Sequence, residues 1–405
     1  MTGSNVLIEI VYMDAGGGHR SAMNALKAVL GERHPDWQVE PVDLQKLLQP
    51  MDPVHRISRR VARPLQRILG PLAPNLALEP IEAQDVYNTV LKRGTTRGLG
   101  AILPVLQAFI RHYALELEEL LRLHWLEPGR RRPDLVVSVV PNFNGILFRA
   151  LKQVHPRTPY LTVMTDMVDC PPNFWMEDQD QIMVCGTQKA TEQARETGFY
   201  QPANLIEVSG MMLKPSFYGQ PEEPRLSLSG LGLDPGRPTG LVMFGGNGAL
   251  GATLGIVDRL AEARIDVQTI VLCGSNQKLH ETLAGRAGCH AVGFVQNVAD
   301  YMRLADFVIG KPGPGSISEA IHMGCPVIVE RNAATMPQER PNVDWVLEAS
   351  VGIAVKSFEK QIAGAVQRML SEGDGYRRNI RSNVPCNCAV FEVATHIDHI
   401  VAAAA

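Results

Sequence analysis

Along the chain, short runs of apolar and β-branched residues alternate with stretches in which apolar residues recur every three to four positions. The first pattern predicts strands buried on both faces and the second predicts amphipathic helices, which together describe parallel sheets covered by helices. In the first half the predicted strands are Val6 to Val11, Val39 to Asp43, Leu135 to Val140, Tyr160 to Met164 and Gln181 to Val184. In the second half they are Gly240 to Phe244, Val267 to Leu272, His290 to Val292, Phe307 to Ile309 and Val327 to Val329. Between the two series lies PSFYGQPEEPRLSLSGLGLDPGRP, Pro215 to Pro238, dense in Pro, Gly and Ser and poor in periodicity. The expectation is an α/β protein of two doubly wound, Rossmann-like domains facing a cleft. Residues 1–214 form the first domain, 215–238 the linker and 239–384 the second, and 385–405 form a helix crossing back to the first. Ligands of such sheets sit at the carboxyl ends of the strands.

Length agrees with this division, because 405 residues exceed what one core ordinarily supports. A net charge of -3 with 20% charged residues argues against a chain-wide nucleic-acid partner. Glu9 interrupts the apolar run VLIEIVYM, and no stretch approaches the length of a membrane span, so a cytoplasmic location is expected. The seven cysteines are odd in number and scattered, which suggests reduced thiols; the lone C-x-C at Cys386 and Cys388 has no second pair to complete a zinc site.

Three glycine-rich turns carry the candidate chemistry. In MDAGGGHRSAMNALKAVL, from Met13, an apolar run is followed by three glycines, His19 and a helix. A histidine titrates near neutrality and suits a general base, although at a helix start it is commonly structural or a phosphate ligand. After the strand GLVMF comes GGNGALG, in which Gly246, Gly248 and Gly251 match G-x-G-x-x-G and open a helix from Ala249 to Ala263. Backbone N–H groups at such a helix start suit a diphosphate. A dinucleotide would also require an acidic residue at the end of the next strand, and VQTIVLCGS lacks one. The third turn, KPGPGSISEAIHMG from Lys311, has prolines that stiffen it, glycines that keep the backbone unobstructed, and Ser316 to cap the next helix. Glu319 completes a capping box with Ser316 or, functionally, holds a ribose diol.

Taken together, GGGHRSA, TDMVDCPPNFW, GGNGALG, GFVQNVADYM, GKPGPGSISEAIHMGCPVIV and PQERPNVDWV resemble the monogalactosyldiacylglycerol synthase and processive diacylglycerol glucosyltransferase family. The N-acetylglucosaminyltransferase of peptidoglycan precursor synthesis is a bacterial relative. These are GT-B glycosyltransferases that use UDP-sugars. The resemblance implies uracil near Phe294 and Val295, and the diphosphate over Gly245, Gly246, Asn247 and Gly248 and over Gly313, Pro314, Gly315 and Ser316. It also implies ribose on Glu319, and sugar hydroxyls on Gln338 and Glu339, which would otherwise read as solvated loop residues. Asn247 stands where plant-type synthases have an acidic residue, Pro312 replaces a small one, and ERNAATMPQER is longer than the pattern; these departures bear on the identity of the sugar.

The implied activity is inverting transfer of galactose or glucose from a UDP-sugar to a membrane lipid, diacylglycerol foremost. The alternatives are transfer of N-acetylglucosamine to another lipid-linked acceptor and a UDP-sugar epimerase of the same fold. His19 is the leading base, with Asp166 as a competing base or as the group that orients His19. Gly17 and Gly18 give an acceptor close access. No cofactor or essential metal is expected, since the only D-x-D, Asp178 and Asp180, introduces a strand instead of following one. In HRISRRVARPLQRILGPL, Arg56, Arg59, Arg60, Arg63 and Arg67 share one helical face and Ile57, Val61, Leu65 and Ile68 the other. That pattern suits an anionic membrane surface and peripheral attachment to its cytoplasmic side, although Pro64 interrupts the helix and the apolar face can instead pack on its own domain.

Overall fold

The structure is a computed structural model that describes residues 6–14, 17–51, 107–108, 110–219, 225–246 and 248–404. Arg56, Arg59, Arg60, Arg63, Arg67 and Asn247 lie outside the described residues.

The first half forms a six-stranded sheet: β1 (Leu7–Tyr12), β2 (Gln38–Asp43), β3 (Leu135–Ser138), β4 (Tyr160–Val163), β5 (Ile182–Cys185) and β6 (Leu205–Glu207), in the order β2-β1-β3-β4-β5-β6. The second half forms another: β7 (Thr239–Met243), β8 (Gln268–Leu272), β9 (Cys289–Val292), β10 (Phe307–Gly310), β11 (Val327–Glu330) and β12 (Gly352–Val355), in the order β12-β11-β10-β7-β8-β9. Every pairing is parallel. The fold class expected from the alternating pattern is therefore the one observed. Each sheet has one strand beyond the five predicted, β6 and β12, both at edges. Leu205–Glu207 is three residues long and only half buried at Leu205 and Ile206, so it lacks the continuous apolar run that marks central strands.

Sheet order decides where a site can form. In each sheet the strand order reverses at one place, between β1 and β3 in the first and between β7 and β10 in the second. Loops leaving the carboxyl ends of the two strands diverge there and leave a crevice. The Met13 turn follows β1, Gly245 to Gly248 follow β7, and Lys311 to Gly313 follow β10, so all three glycine-rich turns stand at reversal points.

Both faces of the first sheet are packed. Ile8, Ile10, Leu26 and Leu30 form one core with Val390, Val393, Ala394 and Ile397 of the C-terminal helix Ala389–Ala404, and Val11, Val136, Leu117, Leu121 and Leu147 form the other. The C-terminal helix thus covers the first half of the chain. In the opposite direction, Met167, Leu213 and Phe217 enter the core built on Leu241, Ile270 and Val327 of the second sheet. Glu9, in the middle of β1, is fully buried; its carboxylate accepts from Trp125 Nε1 and from Arg130, both at 2.7 Å.

Candidate active site

On the first half, His19 is the second residue of helix Gly18–Arg33, which starts after Gly17 at φ 88°. A Cβ on Gly17 or Gly18 would meet nothing within 4 Å among the described residues, so the backbone there is unobstructed. The imidazole Nδ1 lies 2.9 Å from Thr165 Oγ1, and the ring centroid is 6.0 Å from that of Trp175. Burial disfavours the imidazolium and lowers the pKa of His19 to about 4, against a smaller opposing effect from the Val139 backbone. The ring is therefore neutral at physiological pH.

Asp166 follows directly in the loop after β4 and does not orient His19. Its Oδ2 accepts from Trp175 Nε1 at 2.9 Å, and the hydroxyl bonded to the imidazole belongs to its neighbour, Thr165. The expectation of an Asp166–His19 pair is corrected accordingly. Trp175 is itself fixed by Asp169, whose carboxylate accepts from the N–H groups of Asn173, Phe174 and Trp175 at 2.9, 3.0 and 2.7 Å. Burial raises the Asp166 carboxyl to about 7; the Trp175 bond and Lys311 oppose this, while Glu339 and Asp169 reinforce it. Lys311 and Glu339 belong to the second half, so Asp166 stands where the two halves face each other. Cys170 Sγ, 3.6 Å from the Pro337 carbonyl oxygen it donates to, bridges the same boundary.

On the second half, two glycine loops converge. Gly245 (φ 76°) and Gly248 (φ 63°) shape the first, and a Cβ on Gly248 would fall 2.3 Å from the Cys273 carbonyl oxygen, a distance no side chain can occupy. The Ser275 N–H donates to the Gly246 carbonyl at 2.8 Å, which locks this loop onto the turn after β8. The helix it opens is Leu250–Glu262. Phe294 lies across the loop with a ring carbon 3.8 Å from the position of a Gly246 Cβ; it is 59% exposed, a flat apolar face open to solvent, with Val295 beside it half buried.

The second loop leads into helix Pro314–His322 through Gly313, with no side-chain capping bond. Ser316 is therefore not its cap, because the helix begins two residues before it, at Pro314. The N–H groups of Gly315 and Ser316 precede the first intrahelical bond, from Ile317 to the Gly313 carbonyl at 3.0 Å, and receive no side-chain cap. The loop is held from behind by Asn342, whose Nδ2 donates to the Pro312 carbonyl at 2.8 Å. Glu319, half buried in the same helix, is raised to about 7 by desolvation, with Lys214 opposing. Glu339 is buried and accepts from Lys311 Nζ at 2.9 Å, while the Oε1 of its neighbour Gln338 is buried with no hydrogen-bond partner among the described residues. Asp178 is exposed and Asp180 accepts from Asn204, both in the turn that precedes β5.

Thr165, Trp175, Lys311 and Lys214 join the site without having been singled out in the sequence as functional. The first two stand in the quoted TDMVDCPPNFW stretch, where nothing local marks Thr165 as the hydrogen-bond partner of a histidine 146 residues away.

Residues 241–372 match the Glycosyltransferase family 28 C-terminal domain. The chain is 26% identical to the chloroplastic monogalactosyldiacylglycerol synthase of Spinacia oleracea over 97% of its own length and 72% of that protein. It is 27% identical to the chloroplastic monogalactosyldiacylglycerol synthase 1 of Arabidopsis thaliana over 86% of its own length, spanning 62% of that relative. Among solved structures, the calicheamicin glycosyltransferase CalG4 superposes with a TM-score of 0.57 at 13% identity, over 99% of this chain and 100% of that one. A Listeria monocytogenes protein assigned as a UDP-N-acetylglucosamine 2-epimerase gives 0.57 at 16% identity, over 97% and 96%. At these identities the structural likeness is one of fold.

Proposed function

We propose that this chain is a GT-B glycosyltransferase of the monogalactosyldiacylglycerol synthase type and transfers a hexose from a UDP-sugar to diacylglycerol with inversion, a reading these relationships support. The observation that carries the reading is the meeting of the two halves: Asp166, one residue from the hydroxyl that holds His19, lies within electrostatic reach of Lys311 and Glu339 beside both glycine loops. A donor on those loops presents its anomeric carbon to the acceptor side.

The division of labour is the one the resemblance implies, and the geometry supports it. Phe294 and Val295 flank the base, Glu319 accepts from the ribose hydroxyls, and the loop N–H groups with two helix N-termini meet the charge that develops on the departing UDP. Gln338 Oε1, a buried acceptor without a donor among the described residues, suits a sugar hydroxyl, and Glu339 adds a second acceptor beside it. In the tautomer whose Nδ1 hydrogen is directed to Thr165 Oγ1, Nε2 of His19 keeps its lone pair for the acceptor hydroxyl proton. The open backbone at Gly17 and Gly18 lets a lipid headgroup approach that nitrogen. This electrostatic scheme calls for no divalent ion. A peripheral contact with an anionic cytoplasmic membrane surface, through the arginine face of residues 56–67, completes the reading.

The test is incubation with a panel of UDP-hexoses and partly anionic vesicles containing diacylglycerol, followed by analysis of lipid products. A hexosyl-diacylglycerol is expected. Interconversion of the nucleotide sugar without acceptor identifies an epimerase instead, and failure of every UDP-sugar to bind or turn over overturns the reading.

A further inference from the structure

Lys311 occupies a position that the assignment above leaves without a role. Its side chain runs between the two glycine loops: Cε lies 3.9 Å from where a Cβ on Gly245 would stand and 3.5 Å from where one on Gly313 would. Its ammonium group donates to Glu339 Oε1 at 2.9 Å. That same oxygen lies 3.8 Å from the Gly313 Cβ position, so the ion pair sits against the loop backbone assigned to the diphosphate.

Two demands fall on this one ammonium. A buried carboxylate needs a compensating cation, and Lys311 supplies one for Glu339. A diphosphate over Gly245 to Gly248 and Gly313 to Ser316 needs one as well, since loop N–H groups and helix dipoles supply only partial charges. An ammonium carries three rotatable N–H donors on a flexible stem and can change acceptor without backbone movement.

We propose that Lys311 passes from Glu339 to the donor diphosphate on binding, and that Glu339 then takes its hydrogen bonds from the sugar hydroxyls. The inference rests on the UDP-sugar reading and deepens it, because the exchange makes the two ends of the donor interdependent. UDP-hexose supplies hydroxyls to replace the bond that Glu339 gives up. UDP alone leaves Glu339 buried without a donor. Once the hexose has moved to the acceptor, Glu339 competes for Lys311 again and favours departure of UDP.

Calorimetric titration of wild type, Lys311→Met and Glu339→Gln with UDP, uridine and UDP-hexose tests this. Lys311→Met is expected to weaken UDP about 10- to 100-fold, the range of a hydrogen bond to a charged group, while uridine is unchanged. Glu339→Gln, nearly isosteric, frees the ammonium: UDP tightens several-fold, and UDP-hexose loses its advantage over UDP. Wild-type UDP affinity in Lys311→Met overturns the proposal, as does weaker UDP binding in Glu339→Gln. If uridine binding falls in step with UDP in Lys311→Met, the Glu339→Gln result decides by its direction. A wild-type protein that binds no UDP overturns the donor reading itself, an outcome distinct from these.

Discussion

At the scale of single residues, the chemistry turns on which of two groups takes the acceptor proton. His19, lowered to about 4, is deprotonated throughout the neutral range, whereas Asp166, raised to about 7, ionises only as the pH climbs through neutrality. With His19 as the base, kcat at saturating donor keeps its value down to about pH 5 and falls only toward 4; a limb in kcat centred near 7 transfers the role to Asp166. His19→Ala is expected to lower kcat by about 10²- to 10⁴-fold, the usual contribution of a positioned base. Glu319 gives a second pH signature. On the proposed reading the ribose hydroxyls donate to the ionised carboxylate, so binding strengthens as the pH rises through its value of about 7. Uridine, which has no phosphate to titrate, should bind about three- to ten-fold tighter at pH 8 than at pH 6, and Glu319→Gln should abolish the difference. The glycine turns and His19 can be picked out of the sequence because glycine runs before a helix are locally conspicuous. Thr165, Trp175 and Lys311 cannot, because their importance lies in contacts made by chain brought back from far away.

At the scale of elements, β1 carries a buried ionic centre that periodicity alone presents as an interruption. Glu9 sits between Trp125 at the end of helix Ala114–Trp125 and Arg130 in the following loop, and so ties that helix to the sheet. Glu9→Ala should destabilise the protein by about 3 kcal/mol in urea titration, since it removes the buried carboxylate closest to Arg130, leaving Glu127 and Glu40 at 3.5 and 3.7 Å, and leaves the indole N–H without its acceptor. A change within about 0.5 kcal/mol contradicts this account. Central strands such as Leu135–Ser138 are legible because both faces are buried and every position is apolar or small. Edge strands and helix starts are less so. Ser316 and Glu319 have the spacing of a capping box, but Pro314, pre-set for the first turn of a helix, starts it two residues earlier.

At the scale of the whole molecule, the two-sheet architecture follows from the alternation of patterns, whereas the docking of the last helix depends on shape. Val390, Val393 and Ile397 are fully buried against the first sheet, and Asp398 joins Arg33 and His34 at 2.8 and 2.7 Å. Ile397→Ala should cost about 2–4 kcal/mol in the same titration, although the residue lies about as far along the chain from the sheet it covers as the sequence allows. The chain consequently passes between the halves twice, and the two passages touch. Asn387 donates to the Met211 carbonyl at 2.9 Å, and the Cys388 N–H donates to Ser209 Oγ at 2.7 Å. Two connections held side by side join the halves, as a spine joins two covers.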